Sequence, residues 1–181
     1  MLIAAEESML LVVDVQEKLV PLIHDRETML AGCRWLLGVA GEVGIPTLAT
    51  EQYRKGLGST VDTLAEFFPA DRVHDKTVFS CLGAPESRPA IEALGRRQVV
   101  VCGIEAHVCV LETSIELNAA GYDVFVVADA VGSRSPTDRH FALERMRALG
   151  IHVVTREMVA FEWMRRAGTD LFRRISRDYL R

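Results

Sequence analysis

Residues 98–112 read QVVVCGIEAHVCVLE, and the change of pattern inside that stretch decides the fold. Gln98 to Cys102 is a short valine-rich run between Arg96–Arg97 and Gly103, the signature of a strand buried on both faces. From about His107 the spacing turns helical, with Val108, Leu111, Ile115 and then Leu117, Ala119 and Ala120 recurring toward one side. The join is a strand-to-helix turn that puts Cys109 on the first turns of the helix. A thiol there meets the positive end of the helix dipole, which favours thiolate over thiol.

The same alternation extends in both directions. Met9 to Val13 is an apolar run stopped by Asp14, the first strand. The spacing of Met29, Cys33, Leu36, Leu37, Ala40 and Val43 predicts a helix over 27–43, ended by Gly44. Strands follow at 45–50, 72–77, 98–102, 123–128 and 151–154, separated by helices at 60–68, 86–94, about 107–120 and 136–149. Glu51 to Ser59 is polar and glycine-bearing and predicts a loop. Ser135-Pro136-Thr137-Asp138 combines a serine N-cap, proline at the first helical position and an acid at the third. Two further helices, 156–166 and 169–180, finish the chain. Six apolar strands alternating with helices argue for an α/β fold, a doubly wound (Rossmann-like) six-stranded parallel sheet with helices on both faces. Residues 1–181 are expected to form one domain, with helices 156–181 docked on it or on a second subunit.

Ligands of such sheets sit beyond the carboxyl ends of the strands, where the winding reverses. Asp14 ends the first strand, Lys76 the third, and the Cys109 turn follows the fourth. In the order 3-2-1-4-5-6 the first and fourth strands are neighbours, so an acid, a base and a thiol would share one crevice. A thiolate attacks carbonyl carbon, and a neighbour must take its proton. Asp14 could do so and return the proton to the leaving group, while Lys76 lowers the thiol pKa and orients Asp14. Backbone N–H groups of the 103–109 turn are available for the oxyanion. Each residue also has a plainer reading: packing for Cys109, a helix N-cap for Asp14, a surface lysine for Lys76. His107 cannot face Cys109 from two positions away on a helix, and is expected to be structural or substrate-facing. Cys33 and Cys102 read as core. Cys81 could line the pocket but reads as incidental, and Asp129 could reach the crevice or cap its loop.

At 181 residues, 49% hydrophobic and with a net charge of −4, the chain has the size for a sizeable core and no charge excess calling for nucleic acid or membrane. Four cysteines without a C-x-x-C pair, and no basic leader ahead of the first strand, predict a cytoplasmic protein with free thiols. The basic, amphipathic end RRAGTDLFRRISRDYLR admits nucleic-acid binding, but a docked helix is the stronger reading. No G-x-G-x-x-G follows the first strand, which counts against a dinucleotide site. The rival from another class is a binding or redox-sensing protein using Cys109 as a sensor.

LLVVDVQEKL around Asp14, HDKTVFS around Lys76, VVVCGIEAHVCV around Cys109 and VVADAVGSRS around Asp129 together resemble the isochorismatase-like cysteine hydrolases, the superfamily of nicotinamidases and N-carbamoylsarcosine amidases. The resemblance runs from about Met9 to Thr155 and is greatest to the isochorismatase-domain-containing branch. It implies a catalytic triad of Asp14, Lys76 and Cys109, and a non-proline cis peptide at Ile104–Glu105. That peptide would aim the Glu105 N–H, with that of Cys109, at the oxyanion. Gln16, Ile104 and His107 are expected around the substrate. Nicotinamidases carry Asp-x-His after the second strand, where this chain has Thr50-Glu51-Gln52-Tyr53, so no metal and no cofactor are expected. The expected protein is a homo-oligomeric hydrolase of a small amide, carbamoyl or related acyl compound, acting through a Cys109 thioester.

Overall fold

A computed structural model describes residues 1–180. Its sheet has six parallel strands in the order β3-β2-β1-β4-β5-β6. They are β1 (Ser8–Val13), β2 (Thr47–Gln52), β3 (Val73–Lys76), β4 (Gln98–Ile104), β5 (Asp123–Gly132) and β6 (His152–Val154). The helices are α1 (Arg26–Val43), α2 (Arg54–Leu57), α3 (Asp62–Ala65), α4 (Arg88–Ala93), α5 (Cys109–Ala119), α6 (Pro136–Ala148), α7 (Arg156–Met164) and α8 (Asp170–Tyr179).

Strand residues alternate between two cores, as a pleated sheet covered on both faces requires. Leu10, Val12, Ala49, Val100, Cys102 and Phe125 pack with α1, α7 and α8. Met9, Leu11, Val13, Leu48, Val99 and Val101 pack with α4, α5 and α6. The last helix lies on α1, where Trp35 Nε1 donates to the Tyr179 carbonyl at 2.7 Å. Gly38 makes room for it, because a Cβ there would stand 2.6 Å from the Tyr179 ring.

Two strands run further than their hydrophobicity suggests. β2 continues through the polar Glu51 and Gln52, which pair with Asp75 and Lys76. β5 continues past Asp129 to Gly132, because a register shift between Val101 and Gly103 lets Val131 and Gly132 pair with β4. Asp129 is therefore not a strand end. Its carboxylate accepts from the Arg156 backbone N–H at 2.9 Å and holds the start of α7.

Candidate active site

β1 and β4 lie side by side, with Val13 paired to Gly103, at the point where the winding reverses. The approach is so close that a Cβ on Gly103 would sit 2.2 Å from the Val13 carbonyl oxygen, and Gly103 has φ +114°. Only glycine serves there. Asp14 follows at once with φ 52°, its N–H donating to Thr50 O at 3.0 Å.

The Asp14 carboxylate is wholly buried, and both of its oxygens are engaged. Lys76 Nζ lies 2.7 Å from Oδ2, and both side chains are 0% exposed. Thr50 Oγ1 donates to Oδ1 at 2.7 Å. The remaining donors of Lys76 meet Gln52 Oε1 at 2.6 Å and Phe79 O at 2.9 Å, with Val78 O at 3.3 Å. Burial pulls the ammonium down, but the Asp14 charge, helped by the Cys81 and Cys109 sulfurs, outweighs it and holds Lys76 above its ordinary value. A buried pair this fully hydrogen-bonded survives because neither charge is left alone.

Cys109 opens α5 beside this pair and is 6% exposed. Contrary to the expectation from the helix dipole, its thiol is pushed well above the ordinary range. Burial is the main cause, the Asp14 charge adds to it, and Lys76 opposes them. The dipole is outweighed by an adjacent carboxylate in a dry site. At rest Cys109 is a neutral thiol with a carboxylate to hand.

The Ile104–Glu105 peptide is cis. The Glu105 carbonyl accepts from the N–H of Val108 at 3.0 Å and of Val110 at 3.2 Å, closing the turn. Among the described residues, no acceptor meets the N–H of Glu105 or of Cys109. The Glu105 side chain is held by Arg134, whose backbone N–H and Nε each lie 3.1 Å from Oε2.

The three residues expected around a substrate are placed differently. Gln16 is fully buried: its Nε2 donates to Gln52 O at 3.0 Å and Gly58 O at 2.7 Å, and its Oε1 accepts from the Gln52 N–H at 2.7 Å. That amide braces the 52–58 segment with both of its N–H donors engaged. Ile104 is fully buried in the core on the α1 side. His107 is half-buried, with Nδ1 3.0 Å from Ser133 Oγ. Glu51 accepts from Thr60 N and Oγ1, each at 2.7 Å, and pairs with Arg54, so its carboxylate is already engaged.

Three further residues belong to the site. Gln52 fixes Lys76, Thr50 fixes Asp14, and Cys81 Sγ lies 3.4 Å from Thr50 Oγ1. A period-two reading of β2 puts Thr50 and Gln52 on the face of Leu48, toward α5, and would have found the first two.

Residues 8–158 match the isochorismatase domain. The chain belongs to the isochorismatase family. Among its relatives, isochorismatase domain-containing protein 2 of Danio rerio is 37% identical over 176 residues, covering 97% of this chain and 88% of that one. The secreted isochorismatase effector Isc1 of Phytophthora sojae is 38% identical over 174 residues, covering 94% and 83%. Among solved structures, the MAR1 ribonuclease of Caenorhabditis elegans superposes with a TM-score of 0.92 at 38% identity, covering 100% of this chain and 93% of that one. The YcaC gene product of Escherichia coli, an octameric hydrolase of unknown specificity, gives 0.90 at 26% identity, covering 99% and 93%. The chain thus has the isochorismatase-family hydrolase fold, and no helix among the described residues is long and apolar enough to cross a membrane.

Proposed function

We propose that this isochorismatase-family protein is a metal-independent cysteine hydrolase that cleaves a C–N (amide or carbamoyl) or related acyl bond of a small molecule. The observation that carries the reading is the buried Lys76–Asp14 pair, 2.7 Å apart, beside the Cys109 thiol at the start of α5. Burying two charges is costly, and a site that arranges them around a nucleophile has a chemical use for them.

In this reading Asp14 takes the Cys109 proton as Sγ attacks the substrate carbonyl carbon. The N–H groups of Glu105 and Cys109 hold the oxyanion. Collapse breaks the C–N bond, with Asp14 returning the proton to the leaving amine. Water then attacks the thioester, with Asp14 again the base, and regenerates the thiol. Lys76 holds Asp14 in line and tempers the rise of the thiol pKa. The engagement of Glu51 by Thr60 and Arg54 supports a mechanism without a metal at the end of β2.

A homo-oligomer accompanies the proposal. The octameric state of the E. coli relative and the exposed Tyr53 and Phe79 beside the site support it. Free cysteines support a cytoplasmic setting. The ribonuclease activity named for the C. elegans relative finds less support, since Arg173, Arg174 and Arg177 of the basic end pair with Asp170, Glu42 and Asp178.

The test is turnover and intact mass with a panel of amides, carbamoyl compounds, thioesters and an RNA oligonucleotide, on wild type, Cys109→Ala, Asp14→Asn and Lys76→Ala. Hydrolysis of an acyl substrate with an adduct on Cys109, lost in all three variants, supports the reading. Turnover that survives Cys109→Ala, or cleavage of RNA alone, defeats it. A sensor role would show instead as Cys109 alkylation at one rate whether or not Asp14 and Lys76 are present.

A further inference from the structure

Cys81 stands beside the ion pair without a part in the acyl transfer just described, yet its contacts fix which way two protons point. Thr50 Oγ1 is 2.7 Å from Asp14 Oδ1 and 3.4 Å from Cys81 Sγ. A hydroxyl has one proton and two lone pairs, and an ionised carboxylate only accepts. With Asp14 ionised opposite Lys76, the Thr50 proton goes to Asp14. The Thr50–Cys81 contact is then a hydrogen bond only if the thiol donates. Burial, with the Asp14 charge adding and Lys76 opposing, pushes Cys81 up to about 11, so it keeps the proton that this requires. The segment cannot drift away: the Cys81 N–H donates to Thr113 Oγ1 at 2.9 Å, and Ser87 Oγ donates to the Cys81 carbonyl.

We propose that Cys81, Thr50 and Asp14 form a directed donor chain, Sγ–H to Oγ1–H to Oδ1, in which Cys81 and Thr50 are positioning residues for the proton acceptor of Cys109. The inference rests on the reading of Asp14 as that acceptor. No bond is made or broken along the chain. Its effect is to fix the carboxylate through Oδ1 and leave Oδ2 to Lys76. A donor behind the donor strengthens the inner bond by polarising the hydroxyl. The charged and titratable groups facing Asp14 are Lys76 from β3, Cys109 from α5 and Cys81 from the segment after β3, with the Thr50 hydroxyl from β2.

The experiment needs no substrate. Acrylamide alkylation of Cys109 is followed by peptide mapping from pH 4 to 9 in wild type, Thr50→Val, Thr50→Ser, Cys81→Ala, Cys81→Ser and Asp14→Asn. Valine matches threonine in shape, and serine keeps a donor at either position. Thr50→Val slows the reaction about tenfold, Cys81→Ala slows it less, and both serine variants return toward wild type. Asp14→Asn slows it most. If Thr50→Val or Cys81→Ala reacts at the wild-type rate, or is slowed without rescue by serine, the chain is rejected and Asp14 remains the acceptor. An Asp14→Asn variant that reacts at the wild-type rate overturns the acceptor itself, and the chain with it.

Discussion

The sheet buries two pairs of cysteines, one pair on each face, and they are chemically unlike. Cys33 and Cys102 lie on the α1 face among aliphatic side chains, with Cys33 Sγ donating to Ala130 O at 3.3 Å. A hydrogen bond to Cys33, then burial, pushes the Cys102 thiol well up. Cys81 and Cys109 lie on the α5 face, around a buried Asp14–Lys76 pair. Cys102 is raised on one face, and Cys81 and Cys109 on the other, so a raised pKa does not mark a site. What distinguishes the α5 face is a buried carboxylate–ammonium pair beside its thiols, which the proposed mechanism uses to move a proton.

The largest effect that would break this comparison comes from removing one charge. Lys76→Met leaves the Asp14 carboxylate buried with no counter-charge and should cost about 3–5 kcal/mol of stability. The Asp14→Asn/Lys76→Met double variant should recover part of that loss. Urea unfolding checks both, and a Lys76→Met variant as stable as wild type would mean that the pair is not dry.

A second prediction separates reactivity from burial. The ordinary thiol value is 9.0, and Cys81 is raised to about 11. An acid that holds its proton longer when folded contributes stability that is full below its unfolded pKa and lost as pH rises toward the folded one. Stability should therefore fall between pH 9 and 11, and Cys81 alone accounts for about 2–3 kcal/mol of that fall. Cys102→Ala should flatten the same alkaline fall from the opposite face, because its thiol is raised too. Unfolding midpoints measured from pH 8 to 11 test the symmetry. Only the α5-face thiol Cys109 should be alkylated in the native protein, since it is 6% exposed and the other three are 0%.

How much of this is legible in sequence follows from which signals are local. Asp14 directly after an apolar strand, Lys76 near the end of a short one and Cys109 at a strand-to-helix join are local signals, and they point to both the sheet and the crevice. The strand order is not a local signal; 3-2-1-4-5-6 is a common doubly wound order, and the sheet adopts it. Cys81 shows in the sequence only as a residue that could line the pocket, because its place is set by the bond from its N–H to Thr113 of α5, 32 residues away. Gln16 escapes a sequence reading for a similar reason, since its role is defined by the carbonyls of Gln52 and Gly58 on a loop that only the fold brings close. The thiol pKa escapes it too. A helix dipole can be read from a sequence, whereas a carboxylate arriving from another strand depends on strand order.

The smallest effect tests whether the two faces are independent. Cys33→Ser replaces a weak donor with a stronger one opposite the same Ala130 carbonyl, in a fully buried position. The hydroxyl keeps an acceptor but is costlier to dehydrate than a thiol, so stability should fall by about 1 kcal/mol. The alkylation rate of Cys109 and its pH profile should not move, because Cys33 packs on the α1 face, across the sheet from Cys109. A Cys33→Ser variant with an altered Cys109 profile would show that packing on the α1 face reaches the site through the sheet. The route would then run through Cys102, whose neighbour in β4 is Gly103, the residue that lets Val13 and Asp14 come so close.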